Sequence, residues 1–260
     1  MKALLISRAL KDLFKLKIHK LFNTEVHLLR QKEHLDRIKF YEEFILPGGL
    51  CFDIGANLGN RTKVFIALKN RVVALEPQPS CFYYLKYLFG NKITLISKGV
   101  SSTEGSEVLY ISNSSTISSV SKEWIESVGK NRFNGFQWNN SEKIEMTTLD
   151  NLIRMYNMPD FIKIDVEGHE AEVLQGLSHP VKMISFEYTT PEQTEKVYKC
   201  LDILKKLNSK YLANYSIAER NKFELSEWIG IDLLKERISR DVEHLQGFGD
   251  IYIRESSVKQ

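Results

Sequence analysis

Cys51-Phe52-Asp53-Ile54-Gly55-Ala56-Asn57-Leu58-Gly59-Asn60-Arg61-Thr62 is a short apolar run that enters a glycine-bearing turn. Apolar residues then return at helical spacing, at Val64, Phe65, Ala67 and Leu68. The segment therefore reads strand, tight loop, helix, the first half of a βαβ unit. The next apolar run, Val72-Val73-Ala74-Leu75, closes on Glu76, and Pro77 stops it.

The chemistry of this loop selects its ligand. Gly55 and Gly59 allow unusual backbone angles and close approach, and the helix beyond them offers free N–H groups and a positive dipole end. The dinucleotide pattern G-x-G-x-x-G is incomplete, because positions 57 and 60 are both Asn. Asp53, immediately before the turn, would repel a pyrophosphate and suits a cation. S-adenosylmethionine carries an ammonium and a sulfonium and no phosphate. An acidic residue closing the second strand, here Glu76 with Pro77 behind it, is placed to accept both ribose hydroxyls. Asn57 and Thr62 either hold the amino-acid end of such a ligand or cap the helix. Its adenine is expected near Ser97-Lys98-Gly99-Val100, so Gly99 and Val100 complete the cofactor set with Asp53, Gly55, Asn57, Gly59, Thr62, Glu76 and Pro77.

Strand and helix patterns alternate regularly outward from this unit. Leu50–Ile54, Val72–Leu75, Ile93–Ile96, Phe161–Asp165, Val181–Tyr188, Tyr211–Ile217 and Asp250–Arg254 read as seven main strands. Helices are expected after Gly59, around Ser80–Leu88, from about His169 to Leu177 and from Pro191 to about Leu207. The expected fold class is α/β, a Rossmann-like, mostly parallel seven-stranded sheet with helices on both faces. Residues 47–255 would form that domain and 256–260 a tail. Within it, residues 101–150 break the alternation with strands at Glu107–Ser112 and Lys143–Thr147 and a short helix around Ser121–Val128. This insertion reads as a hairpin or lid. Its Ser114, Ser115, Thr116, Trp124, Phe136 and Trp138 suit either an acceptor wall or an aromatic satellite core.

Residues 1–46 lack Gly and Pro until Pro47 and show apolar positions at Ile6, Leu10, Leu13, Ile18, Leu21 and Phe22. A helical extension is expected there, as two helices or one bent helix. The first twenty residues carry +5 of a formal net charge of +3, leaving −2 for the rest. A body without basic excess argues against nucleic acid as substrate. Residues 1–22 are either a basic amphipathic contact with an acidic membrane surface or part of a packed cap. Charges interrupt the early apolar residues too soon for a signal peptide or a membrane span. Cys51, Cys81 and Cys200 lack metal-ligand spacing, so they read as packed, reduced thiols of a cytoplasmic protein.

Ligands of open α/β sheets lie beyond the carboxyl ends of the strands, which here carry Asp53, Glu76, Asp165 and Glu187. Alternation places Lys163 and Asp165 on one strand face. A lysine in so apolar a strand must be paired, and Asp165, Glu187 and Asp53 are its expected partners. The base that deprotonates an acceptor is sought among Asp165, Glu167, His169 and Glu187, with Lys163 beneath them. His169 also fits a helix-starting residue facing water. The same donors suit a hard divalent cation. No metal is assigned, because helix N–H groups and Lys163 can satisfy the carboxylates.

Taken together, Asp53-Ile54-Gly55-Ala56-Asn57-Leu58-Gly59, Ala74-Leu75-Glu76-Pro77, Thr147-Thr148-Leu149-Asp150 and Phe161-Ile162-Lys163-Ile164-Asp165-Val166-Glu167-Gly168-His169-Glu170 resemble the FkbM-type methyltransferases in order and spacing. The likeness covers roughly positions 48 to 255. It implies a Rossmann-like enzyme that moves a methyl group from S-adenosylmethionine, usually to a hydroxyl of a sugar or natural product, so a small-molecule or glycan acceptor is expected. It marks Asp165, Glu167 and Glu170 as motif positions without fixing their roles. N-methylation, an NAD-dependent oxidoreductase on the same fold and a cofactor-binding scaffold with a lapsed site are the alternatives, and the missing third glycine disfavours the oxidoreductase.

Overall fold

Alternating side chains decide how the central strands are used. In the computed structural model, which describes residues 24–114, 117–129, 132–240 and 247–256, the chain begins with α1 (Thr24–Glu42), β1 (Leu50–Ile54), α2 (Asn60–Ala67) and β2 (Arg71–Leu75). It continues through α3 (Pro79–Phe89), β3 (Thr94–Ile96), β4 (Gly99–Val100), β5 (Gly105–Ile111), α4 (Lys122–Gly129), β6 (Asn140–Thr147) and α5 (Leu149–Tyr156). The last part holds β7 (Phe161–Ile164), α6 (Glu170–Gln175), β8 (Met183–Thr190), α7 (Thr194–Leu207), β9 (Tyr211–Ile217), β10 (Ile229–Gly230), α8 (Ile231–Arg240) and β11 (Gly247–Glu255).

The main sheet has the order β10-β9-β11-β8-β7-β1-β2-β3. Neighbours from β8 to β3 pair in parallel, whereas β11 is antiparallel to both β8 and β9. The seven strands read from the sequence are all present. The sheet has eight because the two-residue β10 adds an edge to β9, too short to leave a periodic signal. A separate sheet, β4-β6-β5, is built from the insertion and Gly99-Val100. Gly99 and Val100, expected near the adenine, are therefore a strand, pairing in parallel with Met146 and Thr147.

One face of the main sheet is apolar throughout. Phe52, Ile54, Val73, Leu75, Ile162, Ile164, Ile184, Phe186, Ile251 and Ile253 pack against α5, α6, α7 and α8. Two of these helices, α5 and α8, were not anticipated. Thr148 caps α5 by accepting the Asn151 N–H at 3.1 Å, and α8 buries Ile231, Leu234 and Ile238 at helical spacing.

The other face starts apolar, with Cys51, Val72, Ala74, Phe161, Met183 and Tyr252 beneath α1, α2 and α3. The end of α1 is pinned by Phe40, which meets Tyr41, Phe44, Phe223 and Tyr252 edge-on at ring separations of 4.9 to 5.6 Å. Each such pair contributes roughly 0.5–1.5 kcal/mol beyond area burial. Toward the carboxyl ends this face turns polar. Asp53, Lys163 and Ser185 are register neighbours across β1, β7 and β8, and Glu187 faces Asp250 across β8 and β11. The expectations for residues 1–22 lie outside the described residues, as do those for Ser115 and Thr116.

Candidate active site

A cavity of about 260 Å³ opens above that polar row. Among the expected cofactor residues, Asp53, Gly55, Asn57, Glu76, Pro77, Gly99 and Val100 line it, and Gly59 and Thr62 do not. Thr62 neither caps α2 nor reaches the cavity, because its hydroxyl donates to Asp53 Oδ2 from below. Gly59 sits at the N-cap of α2 with φ 75°. A Cβ there would lie 2.6 Å from Phe89 and 2.8 Å from Leu85, so the glycine admits α3. Gly55, with φ +82°, has no room for a Cβ because the Asp165 carbonyl oxygen occupies that space. The turn needs glycine to bring two strand ends together.

Glu76 is held by the loop it faces. Its Oε2 accepts the Asn57 N–H at 2.7 Å and its Oε1 the Gln78 N–H at 2.8 Å. Burial pushes its carboxyl up to about 7 despite those two bonds, and burial raises Asp53 to about 6 against the Thr62 hydroxyl. Each Glu76 oxygen keeps a lone pair for a further donor. The wall at Gly99 and Val100 is apolar, completed by Leu109, Ile144 and Met146 of the second sheet.

Asp165, Glu167, His169 and Glu187 line the cavity as well. One carboxylate oxygen from each of Asp165, Glu167 and Glu187 lies within 4.8 Å of the others. Among the described residues no helix N–H group donates to these three carboxylates, contrary to expectation; Glu170 instead accepts from the loop N–H groups of Val166 at 3.2 Å and Gly168 at 3.1 Å. The carboxylates of Glu167 and Glu187 accept no hydrogen bond from a described residue. Burial, then repulsion from Asp165, raises both well above the usual carboxylate range. Glu167 also sits at φ +54°, a conformation uncommon outside glycine.

Two expectations need correction here. His169 does not face water: it is 8% exposed, with Nε2 3.0 Å from Ser101 Oγ and Nδ1 3.7 Å from Glu172. Burial lowers its pKa. Lys163, wholly buried, takes Asp250 at 2.7 Å as its main partner and Asp165 at 3.4 Å as its second, while Glu187 and Asp53 are not paired with it. Asp250 was missed, although a carboxylate opening the apolar run Ile251-Tyr252-Ile253 is the same signal that marked Lys163. Arg61 and Glu219 were also missed. Arg61 pairs with Glu219 at 3.0 Å and approaches Asp250 at 3.6 Å, and Arg37 of α1 holds the same Glu219 at 2.9 Å. Against burial, these arginines hold Glu219 down at about 2. Both Arg61 and Glu219 line the cavity.

The aromatic residues of the insertion do not form a wall of this cavity. Trp124 is buried with Ile117, Val128, Phe133 and Trp138 in a satellite core, and Phe136 is exposed. The indole packs where a side chain on Gly168 would stand, so it fixes the loop that carries Glu167. Ser118, Ser119 and Val120 are what the central part of the insertion gives the cavity.

A doubly wound sheet in which β11 and the short edge strand β10 run against the rest, and a cavity beyond its carboxyl ends lined by an acidic β2 terminus, defines the Rossmann-like class I methyltransferases. The chain belongs to the FkbM methyltransferase family, whose domain matches residues 53–217, and its methyl donor is S-adenosylmethionine. Among solved structures it is similar to a precorrin-6y C5,15-methyltransferase from Geobacter metallireducens GS-15, at 12% identity and TM-score 0.45 over 85% of this chain and 88% of that one. It is also similar to a magnesium protoporphyrin IX methyltransferase from Synechocystis PCC 6803 with bound SAM, at 10% identity and TM-score 0.43 over 87% and 79%. No curated protein matches it.

Proposed function

We propose that this methyltransferase methylates a hydroxyl of a saccharide or related metabolite. The observation that carries the reading is the division of one cavity into two chemistries. Asp53 and Glu76 stand at the glycine-turn end, and Asp165, Glu167 and Glu187, from the neighbouring β7 and β8, form an acidic group beside them. The donor set at the first end fits the cofactor: Glu76 for ribose hydroxyls, Asp53 for the cationic amino-acid end, and Val100, Leu109, Ile144 and Met146 for the adenine face.

When bound, the cofactor supplies a methyl carbon activated by sulfonium, so the acceptor oxygen needs only alignment and loss of its proton. In this reading Asp165 takes that proton, with the ammonium of Lys163 3.4 Å away orienting its carboxylate. Glu167 and Glu187 accept hydrogen bonds from neighbouring hydroxyls of a polyol acceptor. N-methylation is the second reading, favoured by the same two carboxylates, which suit an ammonium. Cys51, Cys81 and Cys200 are buried and outside any disulfide, which supports a reducing compartment, and we place the enzyme in the cytoplasm.

The experiment is incubation of a lysate's metabolites and glycans with isotope-labelled S-adenosylmethionine, followed by mass spectrometry to locate the label. Label on oxygen that disappears with Asp165→Ala supports the reading. Label on nitrogen replaces it with N-methylation, and no transfer by a protein that binds S-adenosylhomocysteine rejects turnover in favour of a scaffold.

A further inference from the structure

Lys163 is fixed from three directions. Its ammonium donates to Asp250 Oδ1 at 2.7 Å and to the Ile164 carbonyl at 3.1 Å, leaving one N–H toward Asp165 at 3.4 Å. On β8, the Ser185 hydroxyl, opposite it in register, has no hydrogen-bond partner among the described residues. Asp250 is itself fixed, since its Oδ2 receives the Tyr252 hydroxyl at 3.3 Å and faces Arg61 at 3.6 Å. Arg61 is tied through Glu219 to Arg37. Charges thus alternate from the surface helix α1 to Asp165. We propose that Asp250 is a positioning residue of the methyl-transfer site: it draws Lys163 back so that the ammonium polarises the Asp165 carboxylate without closing on it.

The distances carry the inference. A separation of 2.7 Å is a full charge-assisted hydrogen bond, whereas 3.4 Å is a charge contact that leaves the acceptor oxygen open. With an uncharged residue at 250, the lysine's remaining anionic partner is Asp165, and a tight ion pair there would occupy the carboxylate that faces the acceptor. The inference rests on the methyl-transfer reading of the cavity. The groups facing Lys163 and Asp165 are Asp53 on β1, Glu76 after β2, Glu187 on β8, Asp250 and Tyr252 on β11, Glu167 after β7, Glu170 opening α6, Arg61 on α2 and Tyr41 on α1.

The test is carboxyl ¹³C NMR of protein labelled at aspartate Cγ, with Asp165→Asn assigning the signal. In Asp250→Asn the Asp165 midpoint should fall by roughly one pH unit, because an anion is lost and the cation moves closer. In Lys163→Met it should rise by a similar amount. Calorimetric affinity for S-adenosylhomocysteine should stay within about twofold in both variants, since Asp53 and Glu76 are untouched. An Asp165 midpoint that ignores Asp250→Asn overturns the proposal. If that variant does not fold, Asp250→Ser, which also removes the charge, takes its place, and an Asp165 midpoint unchanged from wild type overturns the proposal equally. Failure of wild-type protein to bind S-adenosylhomocysteine would instead overturn the methyl-transfer reading.

Discussion

Glu76 and Asn57 are joined by a 2.7 Å hydrogen bond from the Asn57 N–H to Glu76 Oε2, which ties the end of β2 to the glycine turn. Asn57 adopts φ +47° to make it. One residue therefore shapes the turn and presents a carboxylate to the cavity. Glu76→Ala should weaken S-adenosylhomocysteine binding about 10- to 100-fold, as expected for losing hydrogen bonds to a charged group. Isothermal titration reads this, and an unchanged affinity would remove Glu76 from the cofactor site.

The same carboxylate makes binding depend on pH. Its free-protein value of about 7 means that half of it is protonated near neutrality. Affinity for S-adenosylhomocysteine should fall as pH drops from 8 to 6, and Glu76→Gln should flatten that dependence. Titrations across this range in the two proteins check it.

Stability of the ligand-free protein should run the other way. Glu76 rises from 4.5 to about 7 on folding, and Asp53 and Glu170 rise to about 6. The folded state then binds more protons between the unfolded and folded values, so stability is fullest below the unfolded values and is lost as pH rises through 6 to 7. Glu76 alone accounts for on the order of 3 kcal/mol. Glu219 opposes this at low pH, because stability from a carboxyl held at about 2 is lost as pH falls through that value. Thermal melts should give a higher Tm at pH 6 than at pH 8.5, with the difference reduced in Glu76→Gln.

Gly55→Ala should be far more damaging than its size suggests. The φ of +82° costs an L-residue roughly 1–2 kcal/mol, and the new methyl meets the immovable Asp165 carbonyl. Gly59→Ala carries the same left-handed backbone strain at φ +75°, but its methyl meets the ends of Phe89 and Leu85, which can shift. Urea denaturation should therefore rank Gly55→Ala well below Gly59→Ala in stability.

Trp124→Ala should cost about 3–5 kcal/mol through the cavity it leaves and should free the Gly168 loop that carries Glu167. Denaturant melts measure the first effect. Faster amide exchange at 166–169, measured by hydrogen exchange, reports the second.

Much of this was legible because it depends on local order. The strand-turn-helix at 50–67 and the acidic end of β2 are set by short-range alternation and by glycine and proline punctuation. The apolar period of α8, at Ile231, Leu234 and Ile238, was equally local and was passed over. The two-residue strands β4 and β10 carry no period, so only pairing reveals them. Position alone suggested that Gly59 and Thr62 would touch a ligand, yet packing turned one toward Phe89 and the other toward Asp53.

The sequence by itself determined the α/β alternation, the carboxylates at the strand ends and the need for Lys163 to be paired, because each follows from side-chain period or from the cost of burying a charge. The tertiary structure decided which partner answers that need. Asp250 lies 87 positions away and reaches Lys163 only because antiparallel β11 is laid beside β8 in one register. Likewise Trp124 and Gly168, Arg37 and Glu219, and Ser101 and His169 meet through packing between separate elements, and no spacing along the chain encodes contacts of that kind.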